Sequence, residues 1–130
     1  MAENILSSSL GSRLRASENN TFPIPHSPFP MIHVVARAAI LPDRLDEYLQ
    51  IVQSILPTVR AEAGCIRYEP ALDYAENGVR APYVTMLETW ESKAHLDAHL
   101  ASSHMKEFLA KVSPMREGKS ELRILTSAEE

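Results

Sequence analysis

The chain has few of the residues from which common cofactor sites are built. Its 130 residues include one cysteine and four glycines. Cys65 alone cannot form an intramolecular disulfide or a CxxC motif, and we interpret it as a small buried side chain. Neither the G-x-G-x-x-G pattern nor the P-loop pattern is present. The sequence therefore gives no motif support for a bound nucleotide cofactor.

Long apolar runs and an excess of positive charge are missing as well. No run approaches the roughly 20 apolar residues that span a bilayer. The net charge is −4, whereas a nucleic-acid partner favours a basic face. The N-terminus lacks the basic and apolar regions of a secretory signal. We therefore expect a cytoplasmic protein that binds neither membranes nor nucleic acid.

Composition divides the chain into a domain and two tails. Six serines fall within the first 27 positions, and four prolines follow between positions 23 and 30. Prolines at this density block both helices and central strands. We expect Phe22, Ile24 and Phe29 to dock on the domain or a partner, or to belong to a solvated arm. The predicted segments are a tail at 1–30, a domain at 31–126 and a tail at 127–130.

Hydrophobic periodicity in the domain predicts four strands and two helices. The strands are expected at 31–39, 65–71, 83–90 and 121–125. The first helix opens at Pro42 and is expected to kink or break at Pro57. Ser92 is a candidate N-cap for the second helix. That helix is expected to break near Ser102 and Ser103 and to restart at His104.

The element order β-α-β-β-α-β predicts an α+β, ferredoxin-like fold. Both helices would cover one face of a four-stranded sheet. On the second strand, we expect Cys65 to share a face with Arg67 and Glu69, opposite Ile66 and Tyr68. Both faces of the third strand carry apolar side chains. We infer that a second subunit covers the free face in a symmetric homodimer.

Three histidines follow the third strand within ten residues. His95 and His99 are four apart and share a helix face, a metal-ligand spacing without the glutamate of the zinc-protease motif. We expect no metal there. His99 and His104 would point about 140° apart on a continuous helix, but the expected break would bring them together. His33 on the first strand is expected to face the same pocket.

Glu88 and Trp90 share one face at the end of the third strand. A buried Glu88 would raise a histidine's pKa or fix its tautomer. Trp90 is either a core residue or a flat wall for an aromatic ligand. Glu62 and Glu69 are expected to be exposed.

Several of these segments together resemble the antibiotic-biosynthesis monooxygenase domain, and within it the bacterial quinol monooxygenases. The resemblance covers about residues 31–126. The segments that carry it are Leu56-Pro-Thr-Val59, Glu62-Ala-Gly-Cys-Ile-Arg-Tyr68, Glu88-Thr-Trp-Glu-Ser92, Ala94-His-Leu-Asp-Ala-His-Leu100, Ser103-His-Met105 and Arg123-Ile-Leu125.

The resemblance implies a dimeric α+β barrel that oxidises a quinol or polyphenolic aromatic with O2. It implies no metal or prosthetic group, although a transient flavin stays open. His99 and His104 would handle protons, with Glu88 or backbone holding the base. The implied substrate-lining residues are Trp90, Tyr68, Met86, Phe108 and His33. The chain departs from some relatives, which have asparagine in place of Met86 and tyrosine in place of Leu96.

The same fold supports other functions. The isomerase of phosphorylated autoinducer-2 has a histidine pair spaced like His99 and His104. An isomerase of a small phosphorylated carbonyl compound would need Arg37 or Arg67 as a cationic anchor. Haem-degrading relatives need an axial ligand and a larger cavity. A non-catalytic binding module with structural histidines is the remaining alternative.

Overall fold

The computed structural model describes residues 29–129 and contains a four-stranded antiparallel sheet with helices packed on one face. The sheet order is β2-β3-β1-β4, and the α+β, ferredoxin-like fold is confirmed. Only the last two residues of the expected 1–30 tail are described, so its limits remain a prediction. The elements are β1 (Ile32–Ala39), α1 (Leu45–Arg60), β2 (Cys65–Leu72), β3 (Tyr83–Trp90), α2 (Lys93–Ala101), α3 (Ser103–Val112) and β4 (Glu121–Leu125).

Strand β1 is central and sets the two faces of the sheet. Ile32 pairs with Trp90 and Val34 pairs with Glu88, so these four side chains point to the same side. Ile32, Val34 and Trp90 are buried in the core beneath the helices. The predicted alternation of β1 therefore holds, and it directs Glu88 toward the helices.

The predicted faces of β2 are wrong at its start. The register shifts between Cys65 and Arg67, because Cys65 pairs with Trp90 and Arg67 with the adjacent Thr89. Ile66 is the extra residue of this bulge and is exposed. Cys65 consequently lies on the helix-covered face together with the buried Tyr68.

Helix α1 begins after a short 3-10 turn, Pro42–Arg44, and runs through Pro57 to Arg60. Of the expected kink or break at Pro57, the break does not occur. Leu56 and Val59, on either side of the proline, are buried in the core, whereas Pro57 is exposed. Burial of these neighbours offsets the hydrogen bond that proline cannot donate.

Two serines divide the helical segment after β3. The side chain of Ser92 accepts a hydrogen bond from the backbone N–H of His95 at 3.3 Å and caps α2. Ser102 has extended backbone angles and caps α3 through the N–H of Met105. Both the Ser92 cap and the predicted break are confirmed, and α3 restarts at Ser103. The break reorients His104 relative to His99.

The other face of the sheet carries no helix within residues 29–129. Val35 and Leu87 pair at its centre and are half-buried. Nearby, Arg37 forms a two-point ion pair with Asp73, at 2.7 and 2.9 Å, and its guanidinium lies 4.3 Å from the ring centroid of Tyr83.

Among the described residues, no helix is long and apolar enough to cross a membrane.

Candidate active site

A cavity of about 280 Å³ lies between the helix-covered face of the sheet and the helices. Its walls are largely apolar and include Met86 from β3 and Phe108 from α3. The polar side chains that line it are Tyr48, Tyr68, Glu88, His99, Arg116 and Ser120. An apolar cavity with a few convergent polar groups is the usual form of a small-molecule site.

Three leucines form an apolar rim on this cavity. Leu100 on α2, Leu109 on α3 and Leu122 on β4 all line it. They are 40%, 37% and 51% exposed, respectively. The cavity therefore opens between β4 and the α2–α3 pair, and its opening suits an apolar ligand.

Glu62, in the turn after α1, is hydrogen-bonded to both histidines that flank the α2–α3 break. Its Oε2 lies 3.0 Å from Nδ1 of His99 and 2.6 Å from Nε2 of His104. The side chain of Glu62 is 15% exposed and that of His99 only 2%. Oγ of Ser102, the residue at the break, lies 3.2 Å from the same nitrogen of His104. Because the helix is interrupted between α2 and α3, one carboxylate bonds to both histidines.

The carboxylate of Glu62 determines which nitrogen of His99 carries a proton. An ionised carboxylate only accepts hydrogen bonds, so Nδ1 of His99 must donate. Burial lowers the pKa of His99 more than the hydrogen bond to Glu62 raises it, which favours the neutral ring. The lone pair is then on Nε2. His99 also lines the cavity, so it is positioned to act as a proton acceptor.

Aromatic side chains hold the His99 ring in place. Its centroid lies 4.6 Å from that of Trp90 and 5.4 Å from that of Tyr68. Trp90 is fully buried, and burial raises the pKa of Tyr68 above its usual range. Tyr68 is therefore neutral at neutral pH, and the rings of Tyr68 and Trp90 both pack against the His99 ring.

Glu88 is a buried carboxyl group on the cavity wall. Burial raises its pKa to about 7, opposed by a hydrogen bond from Trp90 and assisted by the negative charge of Glu62. Trp90 donates that bond from Nε1 to Oε1 of Glu88 at 3.0 Å. A carboxyl group that titrates near neutral pH in a cavity is a candidate for proton transfer.

The structure corrects several expected site positions. Glu62, expected to be exposed, replaces Glu88 as the partner of the histidines. His104 contacts Glu62 but does not line the cavity, and Trp90 lies behind His99 rather than on the wall. His33 bonds to Thr89 on the opposite face of the sheet. Of the expected lining residues, the cavity includes Tyr68, Met86 and Phe108.

Three polar lining residues, Tyr48, Arg116 and Ser120, are not among the expected site residues. Tyr48 belongs to the apolar stripe of α1, where spacing alone predicts a core residue. Arg116 follows a short 3-10 turn, Ser113–Met115, and nothing in its local sequence distinguishes it from other surface arginines. The proximity of Glu62 to the histidines also has no local signal, because 37 residues separate it from His99.

His95 does not join His99 despite their helical spacing. Its Nδ1 lies 2.8 Å from Oγ of Ser92, and its ring packs on Gly64. Gly64 has φ +81°, and a Cβ there would lie 2.2 Å from Cγ of His95. The close approach of the α1–β2 turn to α2 therefore requires glycine, and this turn carries Glu62 to His99.

The Glu62–His99–His104 cluster could also hold a metal ion. One ligand atom from each residue lies within 4.8 Å of the others, and two histidines with one carboxylate are a donor set found in zinc and iron sites. In the structure, Nδ1 of His99 and Nε2 of His104 each form a hydrogen bond with Glu62. The same three residues are therefore also arranged to share protons.

A larger surface depression, about 410 Å³, lies at the β2 bulge beside Cys65. Its arginines are already engaged: Arg67 with Glu69 at 2.7 Å and Arg60 with the backbone carbonyl of Tyr68. Burial raises the pKa of the Cys65 thiol, which disfavours the reactive thiolate. The cavity with His99 is therefore the candidate active site.

Residues 31–111 match the family model described as "Antibiotic biosynthesis monooxygenase". The match covers more than half of the chain, and the protein belongs to this family.

Individual relatives agree with that assignment. The Escherichia coli (strain K12) protein named "Probable quinol monooxygenase YgiN" is 41% identical over 68 residues, which make up 49% of this chain and 62% of that protein. The alignment thus covers less than two thirds of YgiN.

Solved structures share the fold. A conserved protein from Methanosarcina mazei Go1 has a TM-score of 0.66 and 30% identity, covering 75% of this chain and 93% of that one. A structure titled "putative antibiotic biosynthesis monooxygenase", from Caulobacter crescentus CB15, has a TM-score of 0.68 and 22% identity, covering 78% of this chain and 92% of that one. At the latter identity the likeness shows the fold alone.

Proposed function

We propose that the protein is a monooxygenase that oxidises a quinol or related polyphenolic aromatic with O2, without a metal or prosthetic group. The observation that carries the proposal is His99, a buried, neutral histidine fixed by Glu62 on the wall of a largely apolar cavity. The family match and the name of the E. coli relative support the same reaction class.

His99 acts as the general base in this proposal. Nε2 accepts a proton from a quinol hydroxyl, and Glu62 stabilises the imidazolium that forms. The quinolate anion is a stronger electron donor than the neutral quinol and reduces O2 directly. Apolar walls exclude water from the charged pair. His104 is a positioning residue that acts through Glu62.

The atoms and electrons of the reaction balance without an added reductant. The quinolate transfers one electron to O2, and the semiquinone and superoxide combine at a ring carbon. His99 returns its proton to the peroxide, and loss of water leaves a hydroxylated quinone. One oxygen atom enters the product and the other leaves as water. Glu88, with a pKa of about 7, supplies a proton to the departing oxygen and recovers it from the substrate.

The isomerase alternative has less support. Arg37 and Arg67, its expected phosphate anchors, lie on the sheet face opposite the cavity and are paired with Asp73 and Glu69.

A homodimer through that face remains part of our proposal. Its support is the pair of half-buried apolar side chains, Val35 and Leu87, at the centre of the uncovered sheet.

The reaction class is tested by isotopic labelling. Protein dialysed against EDTA, without added flavin, is incubated with 1,4-dihydroxynaphthalene under ¹⁸O2, and products are analysed by mass spectrometry against a protein-free control. We expect 2-hydroxy-1,4-naphthoquinone with one labelled oxygen. Product that appears only after flavin or a metal ion is added would reject cofactor independence. Absence of labelled product from a series of quinols would reject the monooxygenase assignment.

A further inference from the structure

The two ends of the cavity differ in charge. Glu88 and His99 line the end near the start of β1, where Val34 is the strand partner of Glu88. Arg116 lines the other end, since its backbone pairs with Ile40, just beyond the last residue of β1. The walls between them are largely apolar. A ligand that fills the cavity therefore meets a proton acceptor at one end and a guanidinium at the other.

The guanidinium of Arg116 is incompletely satisfied. Nη1 donates a 2.6 Å hydrogen bond to Oγ of Ser120, while Nε is buried without a partner. Within residues 29–129, no carboxylate forms an ion pair with it. A buried donor without a partner costs stability. Arg116 lines the cavity without a carboxylate partner among the described residues, so its guanidinium charge is available to an anionic ligand.

We propose that the substrate carries a carboxylate on its aromatic ring system and that Arg116 binds this carboxylate. This inference rests on the proposed function, because it places the ring between Arg116 and His99. Nη2 forms no hydrogen bond within residues 29–129 and can donate a charge-assisted hydrogen bond to a carboxylate oxygen. Ser120 holds Nη1 and thereby fixes the orientation of the guanidinium.

The rest of the lining favours a carboxylate over a phosphate. Arg116 is the one arginine or lysine among the lining residues of this cavity. One guanidinium balances the single charge of a carboxylate, whereas a phosphate monoester carries nearly two charges at neutral pH and would leave one uncompensated in a largely apolar cavity. Arg116 is thus a specificity-determining residue for hydroxylated aromatic acids.

Calorimetric binding of redox-inert probes tests the inference independently of turnover. The wild-type protein is titrated with 2-naphthoate, with its neutral isostere 2-naphthamide and with 2-naphthyl phosphate. We expect 2-naphthoate to bind about tenfold or more tighter than 2-naphthamide, the range of a charge-assisted hydrogen bond. In Arg116→Gln the preference should vanish, while Lys106→Gln, which removes an exposed positive charge, should retain it.

The outcomes separate this inference from the proposed function. Equal binding of naphthoate and naphthamide to the wild type overturns the carboxylate assignment, even if neutral quinols are oxygenated. Tighter binding of naphthyl phosphate also overturns it. Conversely, Arg116-dependent naphthoate binding in a protein that oxygenates no quinol supports the carboxylate site and rejects the monooxygenase. The wild-type comparison decides the matter if Arg116→Gln does not fold.

Discussion

Oε2 of Glu62 lies 3.0 Å from Nδ1 of His99, although 37 residues separate the two. This contact links the turn after α1 to the end of α2 and fixes the tautomer of a cavity histidine. The acid–base chemistry of the candidate site depends on it, and so do several measurable properties.

The pH dependence of activity should respond in opposite directions to the two neighbours of His99. The base works when neutral, so the acid limb of kcat/KM follows the pKa of His99. Glu62 raises this pKa and His104 lowers it. Glu62→Gln should therefore move the limb to lower pH, and His104→Asn should move it to higher pH. These pH–rate profiles are measured beside the wild type. Shifts in the same direction, or none, would show that His99 is not the titrating group.

Glu88 should make stability depend on pH. Its pKa is about 7 in the folded protein against 4.5 normally, so the folded state holds the proton more tightly than the unfolded chain. Its contribution is fully present below pH 4.5 and is lost as the pH rises through 7. Glu88→Gln keeps a neutral acceptor for Trp90. As the pH rises through that window, the free energy of unfolding of the wild type should fall by about 3 kcal/mol relative to that of Glu88→Gln. Urea unfolding at several pH values measures the difference. A gap that stays constant with pH would contradict the raised pKa.

Gly64→Ala should be far more destabilising than Gly78→Ala. Both glycines have positive φ, +81° and +79°, but only at Gly64 would a Cβ overlap another side chain, that of His95. Each substitution should cost about 1–2 kcal/mol for the left-handed backbone. The overlap should add about 1–3 kcal/mol at Gly64. Denaturant unfolding of the two variants tests this. Equal losses would argue against the tight packing of the α1–β2 turn on α2.

The proposed homodimer predicts a specific effect of charge on the uncovered sheet face. Leu87 lies at its centre and pairs with Val35. Leu87→Asp should give a monomer, because burying an unpaired carboxylate in an interface is costly. Light scattering coupled to size-exclusion chromatography measures the mass. Lys106→Gln, on the exposed side of α3, is the control. A wild-type protein that is monomeric at micromolar concentration would refute this assembly.

Local sequence signals predicted most of the fold but only part of the site. These signals act over a few residues. The alternation of Ile32 and Val34 correctly predicted strand β1, and the hydroxyls of Ser92 and Ser102 correctly marked the helix start and the helix break. The position of Glu62 depends on how a turn packs against a helix distant in sequence, which no local pattern encodes. The bulge at Ile66 likewise arises from pairing with β3, and it reverses the face assigned to Cys65.

Oxygen uptake tests the role of His99 as the general base most directly. Consumption of O2 with 1,4-dihydroxynaphthalene is measured for the wild type, His99→Asn and His95→Asn, after subtraction of autoxidation. Asparagine can still donate to Glu62 but cannot accept the substrate proton, so we expect kcat to fall about 100-fold or more in His99→Asn. His95→Asn should stay close to the wild type, because His95 does not line the cavity. Wild-type rates in His99→Asn, with fold and oligomeric state unchanged, would contradict the assignment of His99 as the base.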